Sequence, residues 1–148
     1  MTEKKNSMLL IIITVIAAVI GGAIGKDAVR SYFKPKQDMR SQSVLNQVAH
    51  EINKSLPMMI DKDTEMTATL GLEGVLVYNY RFVNHSAGQV DAEQINITLK
   101  PRITNAACTT PDTRDTFLKK GVALRYNYYD KNNSFITRID IQPKDCGF

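Results

Sequence analysis

The chain has little of what marks most enzymes and most disulfide-rich secreted domains. It has no tryptophan, two histidines and two cysteines in 148 residues. The cysteines, Cys108 and Cys146, stand far apart and form neither a CxxC redox motif nor the spacing of a structural zinc site. There is no internal repeat and no low-complexity tract. Strong charge is missing too. The formal net charge is +4, and from residue 41 onward 12 basic residues meet 12 acidic ones. Nucleic-acid binding needs a concentrated basic face that displaces counterions, so no nucleic-acid partner is expected.

The one long apolar run lies near the start, in "KKNSMLLIIITVIAAVIGGAIGKDAVR". Met8 to Gly25 spans 18 residues without a charge. As a helix it rises about 27 Å, close to the ~30 Å hydrocarbon core of a bilayer. A cleaved secretory segment is usually shorter and ends at a small-residue site; Gly21-Gly22-Ala23 resembles one, but Ile24 and Gly25 prolong the run. No Cys follows it to accept a bacterial lipid anchor. The expected organisation is a tail at 1–7, a single-pass membrane anchor at 8–25, a basic juxtamembrane linker at 26–43 and one folded domain at 44–148. Lys26, Arg30, Lys34 and Lys36 in the linker are expected to touch lipid headgroups, each worth up to about 1 kcal/mol near an anionic surface.

Two signals compete over sidedness. Lysines and arginines after the apolar run outnumber those before it, which by the positive-inside rule leaves the domain facing the cytoplasm. A single widely spaced cysteine pair reads instead as one Cys108–Cys146 disulfide, which needs an oxidising compartment. Lys4 and Lys5 also hinder translocation of the short tail. The cysteines outweigh the charge count, and the domain is expected outside the cytoplasm. A cytoplasm-facing anchored domain is the alternative.

Within the domain the apolar pattern changes period. "SVLNQVAHEINKSL" carries Val44, Leu45, Val48, Ala49, Ile52 and Leu56 at helical spacing, with Ser43 as N-cap and Pro57 as the stop. "TEMTATLGL" and "VLVYNYRFV" alternate at period two around Glu73-Gly74 and predict a hairpin. Met66, Ala68 and Leu70 should share one face with Leu76, Tyr78, Tyr80 and Phe82. Two short helices follow, one opened by Asp91 and Gln94 and interrupted at Pro101, the other by Thr110-Pro111 and closed by Gly121. "VALRYNYYD" and "SFITRIDIQ" make a second hairpin across "DKNN". The expected fold is α+β: an antiparallel sheet of about four strands in two hairpins, with helices on one face.

That sheet has one wet face, which should carry Thr67, Thr69, Asn79, Arg81, Arg125, Asn127, Tyr129, Arg138 and Asp140. Arg and Tyr are enriched in interface hot spots, so Arg81, Arg125, Tyr129 and Arg138 are the candidate partner face. The bland reading is a solvated face whose arginines pair with neighbouring carboxylates.

Catalytic and metal candidates are thin. Cys108 with His50 or His85 has the residue types of a nucleophile and base, but Cys146 is at hand to oxidise it and His50 lies on the polar flank of the first helix. Asp61, Asp63 and Glu65 alternate like cation ligands. An EF-hand loop starting at Asp61 would need Gly and Glu where Met66 and Leu72 stand, so these carboxylates read as turn and capping residues. "PMM" at 57–59 reads as core filling. Four Asn-x-Ser/Thr sequons, at Asn53, Asn84, Asn96 and Asn132, read as chance. No metal, cofactor or catalytic residue is expected.

The segments "INKSLPMMIDKDTEM", "YNYRFVN" and "LRYNYYDKNNSFITRIDIQPKDCG" resemble small bacterial cell-envelope proteins of uncharacterised function. Those share an N-terminal membrane or signal segment, a helix ending in an Asn-x-x-x-Pro pattern, and a mid-chain Cys opposite a terminal Asp-Cys. The resemblance covers about residues 44–147 and implies an envelope location and a disulfide-linked α+β domain, but no active site. Together with the residues, it points to a non-catalytic protein-binding or accessory subunit of an envelope assembly. An inhibitor or immunity-type protein blocking a partner enzyme is the alternative from another class, and an enzyme would need a cleft of clustered ionisable groups that no motif indicates. No motif names the partner or sets the oligomeric state.

Overall fold

The computed structural model of the protein describes residues 38–148. The apolar run at 8–25 and Lys26, Arg30, Lys34 and Lys36 lie outside the described residues. Among the described residues no helix is long and apolar enough to cross a membrane. In chain order the elements are helix α1 (Gln42–Asn53), strands β1 (Met58–Met59), β2 (Thr64–Leu72) and β3 (Val75–Phe82), helices α2 (Ala92–Thr109) and α3 (Pro111–Thr116), and strands β4 (Ala123–Tyr129) and β5 (Phe135–Ile141). Short 3-10 turns at Ala87–Gln89, Leu118–Lys120 and Pro143–Cys146 complete the chain.

The five strands form one sheet in the order β1-β2-β3-β4-β5. The sheet is mixed rather than antiparallel, and it has five strands rather than four: β3 and β4 run parallel, while the other three pairs are antiparallel. Each expected hairpin is present. What joins them is a crossover through α2 and α3, long enough to return the chain to the end of the sheet where β3 began, and that forces the parallel pairing. β1 escapes a periodicity reading because two residues show no alternation. Met58 is half-buried against the core, whereas Met59 is exposed, so "PMM" is an edge strand and not simply core filling.

α1 starts two residues before the spacing suggests. Ser41, not Ser43, is the N-cap: its backbone is extended and its hydroxyl accepts from the Val44 amide at 3.3 Å. Val44, Leu45, Val48, Ala49 and Ile52 form the buried stripe, as their spacing requires. α2 is opened by Asp91, whose carboxylate accepts from the Glu93 and Gln94 amides at 2.9 and 3.1 Å. It runs unbroken through Pro101. Proline there removes only the hydrogen bond to the carbonyl of Ile97, a residue on the exposed side of the helix, while Ile95, Leu99, Ile103 and Ala107 hold the other side in the core.

A β-bulge decides which side chains face which way. Between Met66 and Ala68 the register of β2 on β3 shifts by one residue, so alternation changes phase. Before the bulge Met66 faces the core. After it Thr69 and Gly71 face the core, and Leu70 and Leu72 turn outward, 51% and 40% exposed. Leu70 is thus not on the Met66 face, and Thr69, expected on the wet side, is fully buried.

Thr69 is buried because α1 is fastened there. The Asn53 side chain accepts from the Thr69 amide at 2.7 Å and donates to the Thr69 carbonyl at 2.9 Å, standing in for a neighbouring strand at the edge of β2. The Thr69 hydroxyl donates to the Ala49 carbonyl at 3.0 Å. Two residues on, α1 and β2 approach so closely that a Cβ placed on Gly71 would overlap the backbone of Leu45 and Asn46.

Between helices and sheet lies a ladder of aromatic rings. Tyr78, Tyr80 and Phe82 from β3 stack against Tyr126 and Tyr128 from β4, with centroids 5.4 to 6.4 Å apart. Parallel, in-register pairing of "YNYRF" with "YNYY" produces this, because equal positions stand side by side. Burial pushes all four tyrosine hydroxyls well above their ordinary pKa, so they stay protonated. Cys108 in α2 and Cys146 after β5 are joined by a disulfide with Cα atoms 5.3 Å apart, stapling the end of the chain to the helical layer.

Candidate functional site

The sheet face away from the helices forms a lattice of rows across the strands. One row is Leu72, Val75 and Ala123, and the next is Leu70, Val77, Arg125 and Asp140. The third is Ala68, Asn79, Asn127 and Arg138, and the fourth Met59, Glu65, Arg81, Tyr129 and Phe135. All four residues expected to form a partner face, Arg81, Arg125, Tyr129 and Arg138, stand on this surface.

Its arginines are largely engaged with carboxylates. Arg81 donates from Nη2 and Nε to Glu65 Oε2 at 2.6 and 3.1 Å. Arg125 Nε donates to Asp140 Oδ1 at 2.7 Å, and Arg138 Nε lies 3.3 Å from the other oxygen of the same carboxylate. Three guanidiniums against two carboxylates leave a surface close to neutral. Exposed pairs of this kind are worth about 0–1 kcal/mol each, so the charges set orientation more than affinity. In the middle of the face Asn127 Nδ2 donates to Asn79 Oδ1 at 3.0 Å, and the Thr67 hydroxyl donates to the Asn79 carbonyl at 3.2 Å.

The apolar residues of this face are what periodicity reading missed. Six large hydrophobic side chains are exposed among the described residues: Met59, Leu70, Leu72, Ile97, Phe135 and Phe148. Four of them, Met59, Leu70, Leu72 and Phe135, lie on the uncovered sheet face. Leu70 and Leu72 sit beside Val75 and Val77 at one corner, Phe135 stands edge-on to Tyr129 at 5.8 Å at the diagonal corner, and Met59 lies at the far end of the row from Phe135. The bulge put the leucines there, and the signal for it was Gly71, since glycine inside a strand marks a bulge or a close backbone approach.

The other candidate residues have structural duties. Asp61 Oδ1 accepts from the Asp63 and Thr64 amides at 2.7 and 2.8 Å, the turn-capping expected of it. Asp63 Oδ1 accepts from Asn84 Nδ2 at 2.8 Å, and Glu65 is the partner of Arg81. Among the described residues no group of three His, Cys, Asp or Glu is placed to hold a metal ion. Cys108 is committed to its disulfide, and His50 is exposed on α1.

At the far pole Asp130 joins two loops. Its carboxylate accepts from the amides of Asn132 and Ser134 at 2.8 Å in its own turn, and from Ala87 at 2.9 Å in the loop after β3. Burial works against its charge, but these three amides prevail and hold the carboxyl below its ordinary pKa.

No protein-family profile and no curated protein sequence matches the chain. Solved structures do share its fold. A candidate secreted protein of Pseudomonas aeruginosa superposes with a TM-score of 0.61 at 19% identity, covering 77% of this chain and 99% of its own. EpsS, the pilotin of the Vibrio vulnificus type 2 secretion system, gives 0.57 at 11% identity, over 72% of this chain and 92% of its own. AspS, the type II secretion system pilotin of Vibrio cholerae, gives 0.53 at 11% identity, over 71% and 91%. The described domain thus has a fold found in a candidate secreted protein and in two type II secretion system pilotins.

Proposed function

We propose that the chain is a non-catalytic accessory subunit of a bacterial envelope assembly, and that the uncovered sheet face docks another envelope protein. In this reading residues 8–25 hold it in the inner membrane, Lys26, Arg30, Lys34 and Lys36 rest on lipid headgroups, and the domain lies in the periplasm. The observation that carries the proposal is the likeness to two pilotins, accessory proteins of a secretion assembly, over more than nine-tenths of each. The Cys108–Cys146 disulfide supports an oxidising compartment. Four exposed large hydrophobics on one open face support docking, because such side chains serve an interface better than a solvated surface. A membrane anchor concentrates the domain near other membrane components, so a modest face suffices.

The test is co-purification from cross-linked native membranes, comparing the natural protein with Leu70→Glu combined with Phe135→Glu. Both side chains are exposed, so the fold should survive, with the disulfide formed and the melting temperature close to the natural one. Recovery of the specific envelope partner should fall at least about tenfold, as expected when interface anchors worth ~2 kcal/mol are lost. If every co-purifying protein stays bound, this face is not the docking surface. A one-to-one complex with a single soluble hydrolase would move the assignment to an inhibitor.

A further inference from the structure

The two edges of the sheet are treated differently. On the β2 side the edge is closed by β1 at Met58 and Met59, by the Asn53 amide at Thr69, and by the close approach of α1 at Gly71. The other edge, β5, runs from Phe135 to Ile141 with no backbone hydrogen bond to any described residue beyond β4. Open edges of this length invite pairing with another strand. Beside it lies a shallow groove lined by Asn96, Ile97, Lys100, Pro101 and Thr104 of α2 and closed by Asp145. Asn96 donates to the Thr137 hydroxyl at 2.5 Å, which holds the groove-lining helix α2 against β5. Ile97, 62% exposed, is the most exposed large hydrophobic side chain among the described residues.

We propose that β5 pairs antiparallel with β5 of a second copy of this chain, about a two-fold axis at Ile139, joining two five-stranded sheets into one. The charge pattern of the strand fits a second copy: Arg138 and Asp140, 3.3 Å apart within one chain, alternate along β5 so that each can also face its opposite across a two-fold axis. With the axis at Ile139, Arg138 stands opposite Asp140 of the second copy on the outer face, and the pair repeats by symmetry. Moving the axis to residue 138 sets two arginines opposite each other, and moving it to residue 140 sets two aspartates so. Like charges directly opposite are destabilising. A shift that leaves the axis between residues mismatches the two faces of the sheet. Of the registers centred on residues 138, 139 and 140, the Ile139 one alone keeps the faces matched and sets unlike charges opposite each other. In it Ile139 lies against Ile139 of the second copy, and Thr137 against Ile141. The two α2 helices then approach over the joined edges, where Ile97 of each gains cover.

The dimer uses Arg138 and Asp140 at the margin of the outer face and leaves Leu70, Leu72, Arg81 and Tyr129 free to dock a partner.

The test uses the full chain in detergent micelles. Sedimentation equilibrium should show a reversible dimer, and Arg138→Glu should raise its dissociation constant about tenfold, since two symmetric attractions become repulsions. Arg138→Lys treated with a zero-length carbodiimide should give a covalent dimer in which the substituted side chain is linked to Asp140. Formation of the Cys108–Cys146 disulfide in each variant checks the fold. A monomer at all concentrations, an unchanged dissociation constant in Arg138→Glu, or a covalent dimer linked elsewhere overturns the proposal.

Discussion

Gly71→Ala is the smallest change expected to do large damage. Gly71 lies in β2 at a backbone conformation open to any residue, so the cost is not one of dihedral angle. It is one of space: the added methyl would sit closer than 3.0 Å to Leu45 C, Leu45 O and Asn46 N. These are main-chain atoms of α1 and cannot step aside as a side chain can. The helix must shift as a body, and it carries Leu45, Val48, Ala49 and Ile52, all buried, together with the Asn53 clamp on Thr69. Overpacking a well-filled core costs about 1–3 kcal/mol, and backbone overlap belongs at the upper end. For a domain of this size ~3 kcal/mol corresponds to a fall of roughly 10–15 °C in melting temperature. Gly88→Ala is the control, because a methyl there meets nothing within 4 Å and the backbone is not left-handed. Thermal melts followed by near-ultraviolet circular dichroism compare the two. If Gly71→Ala melts within about two degrees of Gly88→Ala, α1 does not sit on β2 as described.

Three further predictions concern the disulfide and Asp130. The disulfide spans 38 positions, for which chain entropy gives about 4 kcal/mol, so Cys108→Ala with Cys146→Ala should lose most of that in urea unfolding. In isolated membranes a mass-tagging thiol reagent should label the natural protein twice after reduction and not before; labelling without reduction would place the domain in a reducing compartment. Asp130 has its folded-state pKa lowered, so its contribution is present above the unfolded value of about 4 and is lost as pH falls through the folded value. Asp130→Asn should therefore be less stable at pH 7 and lose less stability than the natural protein between pH 4 and 2, as read by acid unfolding.

Most of the element order was legible, because it rests on local patterns. The α1 stripe, both hairpins, the Asp91 cap and the Tyr78, Tyr80, Tyr126 and Tyr128 positions follow from periodicity and turn chemistry. The parallel β3–β4 pairing was not legible, since it depends on where the α2–α3 crossover lands and not on either strand alone. The α2 helix crosses Pro101 because its buried residues fall on both sides of it, a tertiary effect stronger than the local break. The candidate face was half legible. Its arginines follow from simple alternation in β3, β4 and β5, whereas Leu70 was assigned to the core face because one bulge reverses β2.

That reversal bears on what the outer face is for. The inward positions after the bulge are required by α1, which needs glycine at 71 for its close approach and Thr69 for the clamp with Asn53 and Ala49. The bulge therefore explains why residues 70 and 72 point outward. It does not explain why they are leucines. Nothing in the domain buries Leu70 or Leu72 fully, and Thr67 and Asn79 on the same face show that polar side chains fit this surface. A half-exposed leucine forgoes about half of the roughly 1.5–3 kcal/mol that full burial brings, and another surface can supply it. Two of them, beside the buried Val77 and diagonal to the Phe135 and Tyr129 corner, give a partner apolar anchors at both ends of a face whose charges are already neutralised. In the docking reading this face has no large unpaired charge to desolvate, so affinity rests on shape and apolar contact, and binding should depend little on salt.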